Sequence, residues 1–245
     1  MPVHGKNPAM HHRTLSILLA LLTSVTAFAA DEATTLIDEK FDSESIPEKW
    51  QAGGRKGSFT MIEGSLRGVA QPDDSHGPSI SHSITAHDVA IEFDMKMVNP
   101  DGYFLFLLDG DSQFKGQAHL LRLSAFGKKV QLMQDRGDPA SKMEQKKQRD
   151  ANGGKRIPAT KEQLADPNFY RIEQLANQTA TPANGEWHHI RIELKGNAVT
   201  AQFDGQKPFS ATGTVLDVPK SKIVFLVGKS ADVRIDNVKV QSLSK

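Results

Sequence analysis

Between Asp88 and Met97 every second residue is apolar: Val89, Ile91, Phe93, Met95 and Met97 alternate with Ala90, Glu92, Asp94 and Lys96. That period of two predicts a strand with one buried face. After Asn99-Pro100-Asp101-Gly102, a turn signal, the chain resumes as Tyr103-Phe104-Leu105-Phe106-Leu107-Leu108. Being apolar on both parities, this second run predicts a central strand covered on both sides, paired with the first as a hairpin. Further short strands are expected at 36–42, at 58–63 turning through Glu63-Gly64 into 65–69, at 79–84, and at 118–125 and 128–134 around Phe126-Gly127-Lys128. Closely spaced strands without intervening helices predict an antiparallel sandwich or barrel rather than βαβ units. Trp50, beside the first strand, is expected as a core anchor rather than an exposed sugar platform.

The alternation stops between Gly137 and Gly185. Ser141 to Ala151 is rich in Lys, Gln, Glu and Arg and ends at Asn152-Gly153-Gly154, the pattern of a solvated helix. Thr160 and Gln163 have capping-box spacing, and Phe169, Ile172, Leu175 and Ala176 recur at helical intervals. A charged, partly helical insertion at about 137–185 is therefore expected. Beyond it, His188, Ile190, Ile192 and Leu194 share one face of a strand while Trp187, His189, Arg191 and Glu193 share the other. Ile223 to Val227 reads as a second central strand. In the last strand Val233 and Ile235 are odd-numbered but Val238 and Val240 even, so one extra residue must be absorbed near Asp236-Asn237, which predicts a β-bulge.

The 245 residues suffice for one large β domain. Residues 1–29 read separately: His11, His12 and Arg13 precede the apolar run Leu15 to Leu22, and Ala27-Phe28-Ala29 supplies small residues for cleavage. This predicts a signal peptide, export to the periplasm or cell exterior, and a single mature domain over 31–245 with no membrane association. Its removal takes away Lys6 and Arg13 and moves the formal charge from +1 to −1, so no basic field for nucleic acid remains. The absence of cysteine excludes disulfides, thiolate metal sites and a cysteine nucleophile. No Gly-rich phosphate loop, Gly-x-Ser-x-Gly elbow or His-Glu-x-x-His motif occurs.

Polar groups at the ends of the predicted central strands form the candidate site: Asp109, Asp111, His119, Arg122, Gln134 and Asp135. Asp109 and His119 are assigned acid–base roles, Arg122 substrate positioning, and Gln134, Asp135 and Asp111 substrate contact. His188 and His189 are adjacent and point to opposite faces, so they cannot chelate one metal. No cofactor is expected; Asp42 and Asp236, where the first and last strands would pair, are the one place where oxygen ligands for structural Ca²⁺ are conceivable.

Glu92-Phe93-Asp94-Met95 resembles the first half of the Glu-x-Asp-x-x-Glu strand of family-16 glycoside hydrolases, but Lys96 and Met97 follow, so the second catalytic carboxyl is missing. The polar face of an amphipathic strand explains Glu92 and Asp94 better. Several segments together resemble concanavalin A-like (laminin-G-like) jelly rolls. They are Phe41-Asp42 with Trp50, Phe59-Thr60 to Gly64-Ser65-Leu66, Gly185 to Ile192, Phe203-Asp204-Gly205 and Val233 to Val238. Within these, residues 36–241 look like the bacterial 3-keto-disaccharide hydrolase domain family, although Asp101 to Leu105 departs from its Asn-Ser-Gly-x-x-x-Arg strand. The resemblance implies an antiparallel jelly-roll β-sandwich and an exported carbohydrate-active domain acting on 3-keto-glycosides or related saccharides. The alternative is a non-catalytic glycan-binding or protein-interaction lectin-like module.

Overall fold

The computed structural model describes Met1 and residues 33–54, 57–72, 76–99, 101–110 and 119–244. The expected signal peptide and Asp111 lie outside the described residues. In chain order the strands begin with β1 (Thr34–Glu39), β2 (Trp50–Gly54), β3 (Gly57–Ile62), β4 (Ser65–Ala70), β5 (Pro78–Ala86), β6 (Asp88–Met97) and β7 (Tyr103–Gly110). They continue with β8 (His119–Phe126) and β9 (Lys129–Arg136), helices α1 (Pro139–Ala151) and α2 (Lys161–Ala165), then β10 (Arg171–Thr179), β11 (Trp187–Lys195) and β12 (Ala198–Phe203). The last are β13 (Phe209–Thr212), β14 (Lys220–Gly228) and β15 (Asp232–Leu243).

Two antiparallel sheets form a jelly-roll sandwich. One runs β13-β12-β11-β6-β15-β4-β3, with β1 also on β15, and the other runs β10-β9-β8-β7-β14-β5-β2. The expected β6–β7 hairpin is not formed, because the two strands belong to opposite sheets. The link after Met97 is instead an arch across the core. Phe93 of β6 lies 5.9 Å from Phe104 and 5.4 Å from Phe106 of β7, ring to ring, and Phe225 of β14 completes the cluster at 5.2 Å from Phe93. Two apolar runs joined by a turn can pair edge to edge or face each other, and the sequence signal is the same for both. Facing each other wins here because each strand gains two neighbours from elsewhere in the chain. Trp50 is buried against Phe41, His82 and Phe225, as expected.

The Glu63-Gly64 turn has both residues at positive φ, 48° and 66°, the geometry of a tight hairpin matched to strand twist. In β15 the register against β6 slips between Asp236 and Lys239, with Asn237 at φ 50°, and Val233, Ile235, Val238 and Val240 all remain buried. The bulge thus keeps both halves of the strand facing the core.

The insertion is partly helical, as expected. Asp138 caps α1 through the Ala140 N–H at 2.6 Å, Pro139 opens it, and it ends at Asn152. The Thr160–Gln163 capping box opens α2. Residues 171–179, however, are not a helix; they form edge strand β10 on β9. A register shift between Gln174 and Ala176 makes Leu175 a bulge, and Leu175 and Ala176 both pack against the core. Ile172 is exposed on the other face of β10, so the apparent helical spacing mixes residues of both faces of a strand. Neither helix has a buried residue.

Candidate functional site

On the seven-stranded sheet, side chains alternate between the shared core and the outward face. Phe104, Phe106 and Leu108 of β7 face inward with Leu121, Leu123 and Ala125 of β8. Leu105, Leu107 and Asp109 therefore face outward, opposite Ser124, Arg122 and His119. A register shift after Leu108 absorbs Leu120 and sets His119 directly across from Asp109. His119 Nδ1 donates to Asp109 Oδ1 at 2.7 Å, and Lys222 Nζ of β14 lies 3.2 Å from Asp109 Oδ2. Lys222, Asp109 and His119 thus form one row over three neighbouring strands. Asp109 is 5 % exposed, whereas the His119 side chain retains 27 %. With Nδ1–H committed to a carboxylate, the Nε2 lone pair is the one left to act on a ligand. Ser221 Oγ donates to the Gly110 carbonyl at 2.9 Å and ties β14 to the end of β7 beneath this row.

One residue pair further along β8 and β9, Arg122 forks onto Asp135 with Nε–Oδ1 and Nη2–Oδ2 distances of 2.6 and 2.7 Å. Tyr170 Oη donates to Asp135 Oδ2 at 3.0 Å, and Lys142 Nζ of α1 stands 3.6 Å from the same oxygen and 4.6 Å from the Tyr170 ring centre. Burial disfavours the Arg122 cation, but the Asp135 carboxylate outweighs it and holds the guanidinium more firmly protonated than usual. Burial, followed by repulsion from Asp135, pushes the Tyr170 phenol well above its ordinary range. Tyr170 therefore acts as a neutral donor. Ser141 Oγ accepts from Tyr170 N–H and Gln145 Nε2 donates to the Tyr170 carbonyl, so α1 is fastened at this corner.

Of the expected site residues, the structure brings Asp109, His119, Arg122 and Asp135 to the same face. Gln134 is not among them. It points to the opposite side of β9, where it donates to Glu173 at 2.6 Å and accepts from Thr214 N–H at 2.9 Å. Its parity differs from that of Asp135, and that difference alone separates them. Sequence reasoning missed Lys222 and Tyr170. A lysine opening a run apolar on both parities was the available signal for Lys222; Tyr170 was hidden by the helical reading of 169–176.

Glu92 and Asp94 lie on the outward face of the other sheet, where Glu92 pairs with Arg191 and Asp94 with His189 and Asn237. They are the polar side of an amphipathic strand. His188 points inward, with Nδ1 2.5 Å from Asp204 Oδ2 and Nε2 2.8 Å from Asn184 Oδ1, so the two histidines do not converge. Asp236 approaches Asp94, Asp42 and Glu39 closely enough for their charges, after burial, to raise its carboxyl above the usual range. The adjoining depression of about 560 Å³ is lined by Asp38, Glu39, Asp42 and Glu48 among others. Among the described residues no group of three or more His, Asp or Glu side chains is arranged to hold a metal ion. No helix among them is long and apolar enough to cross a membrane.

No family model matches the chain, and no curated protein matches it. Solved structures do. A laminarinase from Rhodothermus marinus aligns with TM-score 0.59 at 12 % identity over 88 % of this chain and 99 % of that one. The Bacillus licheniformis β-glucanase aligns at 0.55 and 14 % over 86 % and 99 %. A sialidase aligns at 0.56 and 16 % over 86 % of this chain but only 19 % of its own. At these identities the likeness establishes the fold alone, an antiparallel jelly-roll sandwich shared with the laminarinase and the β-glucanase.

Proposed function

We propose that the protein is an exported saccharide-directed hydrolase of the 3-keto-glycoside type, working on the outward face of the seven-stranded sheet. The observation that carries this reading is the Asp109–His119 dyad, a half-exposed imidazole oriented by a buried carboxylate. Ordinary retaining hydrolysis needs two carboxyl groups about 5 Å apart across the bond. This face offers one oriented imidazole instead, and a 3-keto sugar needs no more. Its carbonyl acidifies the hydrogen on C2, so His119 Nε2 removes that proton, the C1–O bond breaks as the C1–C2 double bond forms, and the proton passes to the departing oxygen. Water then adds across the double bond, hydroxyl to C1 and hydrogen to C2, completing a net hydrolysis. Lys222, held by the same carboxylate, supplies a cation beside the dyad for the negative charge that develops on the sugar. Arg122 is forked onto Asp135 and so forms a fixed polar wall.

The test is turnover of a 3-keto-glycoside and of its unoxidised parent. Wild type is expected to release aglycone from the 3-keto compound alone, with His119→Ala slower by on the order of 10²–10⁴-fold. Unchanged turnover in His119→Ala and Asp109→Asn, or equal cleavage of the parent glycoside, would reject the assignment.

A further inference from the structure

A second row of side chains, on the other sheet, has no part in this chemistry. Across β3, β4, β15, β6 and β11 the directly paired residues are Thr60, Arg67, Arg234, Lys96 and Trp187. Paired residues share a face, and here it is the outward one, since the neighbours Leu66, Ile235, Met95 and His188 are buried. Arg67, Arg234 and Lys96 therefore stand side by side, an arrangement that costs stability because like charges opposite one another repel. Asp232 forks onto Arg67, and the largely exposed Glu63 holds Arg234 at 2.7 Å. Lys96 has no ion-pair partner among the described residues. At the end of the row Trp187 is 43 % exposed, the one exposed aromatic side chain among them. Val98, 51 % exposed and on the same parity as Lys96, lies beside it.

We infer that this row binds a carboxylate-bearing polysaccharide, a polyuronate chain, independently of the Asp109–His119 site. Lys96, without an ion-pair partner among the described residues, fits a carboxylate, Arg234 can share one because its own partner Glu63 is largely exposed, and an indole left in water fits the apolar face of a pyranose ring. The row runs perpendicular to the strands, so its groups repeat at about 4.8 Å, close to one sugar length, over roughly 19 Å. Its width selects a single narrow chain. Asp94 and Asp236, paired together one face position further along β6 and β15, flank it with negative charge that a broad duplex would have to cover. One tryptophan and one valine do not make the apolar area that a membrane surface requires.

The experiment is calorimetric titration of the mature protein with oligogalacturonate, with laminarin oligosaccharides as the neutral control. Binding to oligogalacturonate is expected to weaken steeply between about 0.1 M and about 1 M salt, where the screening length falls from about 10 Å to about 3 Å. Trp187→Ala and Lys96→Glu should each weaken it roughly tenfold or more. Lys96→Glu should meanwhile match or exceed the wild-type melting temperature, because it relieves the row of like charges; lost binding is then not lost folding. Three results would overturn the inference: no binding by wild type, undiminished binding by folded Lys96→Glu or Trp187→Ala, or equal affinity for laminarin. Preferential binding of these residues to anionic lipid vesicles would overturn it too.

Discussion

Arg122→Met tests whether the Arg122–Asp135 pair is part of the framework rather than a free ligand contact. The Asp135 side chain is 1 % exposed and that of Arg122 14 %, so neither has much water to fall back on. Removing one partner of a buried ion pair costs about 3–5 kcal/mol, because the other charge stays buried without compensation. Here the cost should fall at the lower end, about 3 kcal/mol, because Tyr170 Oη still donates to Asp135 and Lys142 can close in from 3.6 Å. For a domain of this size that lowers Tm by about 6–12 °C. Replacing both residues, Arg122→Met with Asp135→Leu, should recover most of the loss, since the desolvation cost of both charges disappears together. Urea unfolding of the wild type, both single variants and the double variant gives the coupling directly. A loss below about 1 kcal/mol in Arg122→Met, the size of an exposed pair, would refute the argument and return Arg122 to the pool of free ligand-binding groups.

Trp50→Ala should cost about 3–5 kcal/mol in the same unfolding assay, because the ring is buried against Phe41 and Phe225 and leaves a cavity between the sheets. Gly77→Ala should unfold the domain or displace β14, since at φ 54° an added Cβ would lie 1.7 Å from the Val227 carbonyl oxygen; a Tm within a few degrees of wild type would contradict that. Asp236→Asn should raise Tm at pH 7: burial, then Asp94, Asp42 and Glu39, raise the Asp236 carboxyl, so its contribution is intact below the ordinary carboxylate range and lost as pH rises through the raised value. The gain should vanish below about pH 4, which a melting series across pH would show. Asp88→Asn should do the reverse. Burial alone would raise Asp88, but the Gly196 N–H, His87 and Lys220 outweigh it and leave it lowered, so the stability that it adds at neutral pH is lost as pH falls below its unfolded value.

What the sequence made legible was strand identity and, within each strand, face. The alternation in β6 and β11, the Glu63-Gly64 turn and the parity slip at Asp236-Asn237 are local signals, each set by a few neighbouring residues, and each is present in the structure. Two readings failed for one shared reason: pairing is not local. Nothing between Met97 and Tyr103 says whether the chain returns beside β6 or crosses to the other sheet, because the choice rests on β14, β15 and β11, which lie far along the chain. In 169–176 the edge strand β10 relies on β9 for its hydrogen bonds, and the apparent helical period joins Ile172 on its exposed face to Leu175 and Ala176 on its core face.

The same distinction decides which candidate residues form a site. Gln134 and Asp135 were expected to share one site, yet their parity alone forbids it, because adjacent residues of a strand cannot share a face. Sheet membership was the missing half. Glu92 and Asp94, which resemble part of a catalytic strand, sit on the sheet opposite Asp109 and His119, so no rearrangement of side chains alone can combine the four carboxylate and imidazole groups into one centre. The proposed acid–base chemistry on the seven-stranded sheet therefore has only the dyad and Lys222 to draw on, and nothing from Glu92 or Asp94. The eight-stranded sheet has its acids engaged by Arg191, His189 and Asn237, and its Trp187 row keeps Lys96 without an ion-pair partner among the described residues beside one exposed indole.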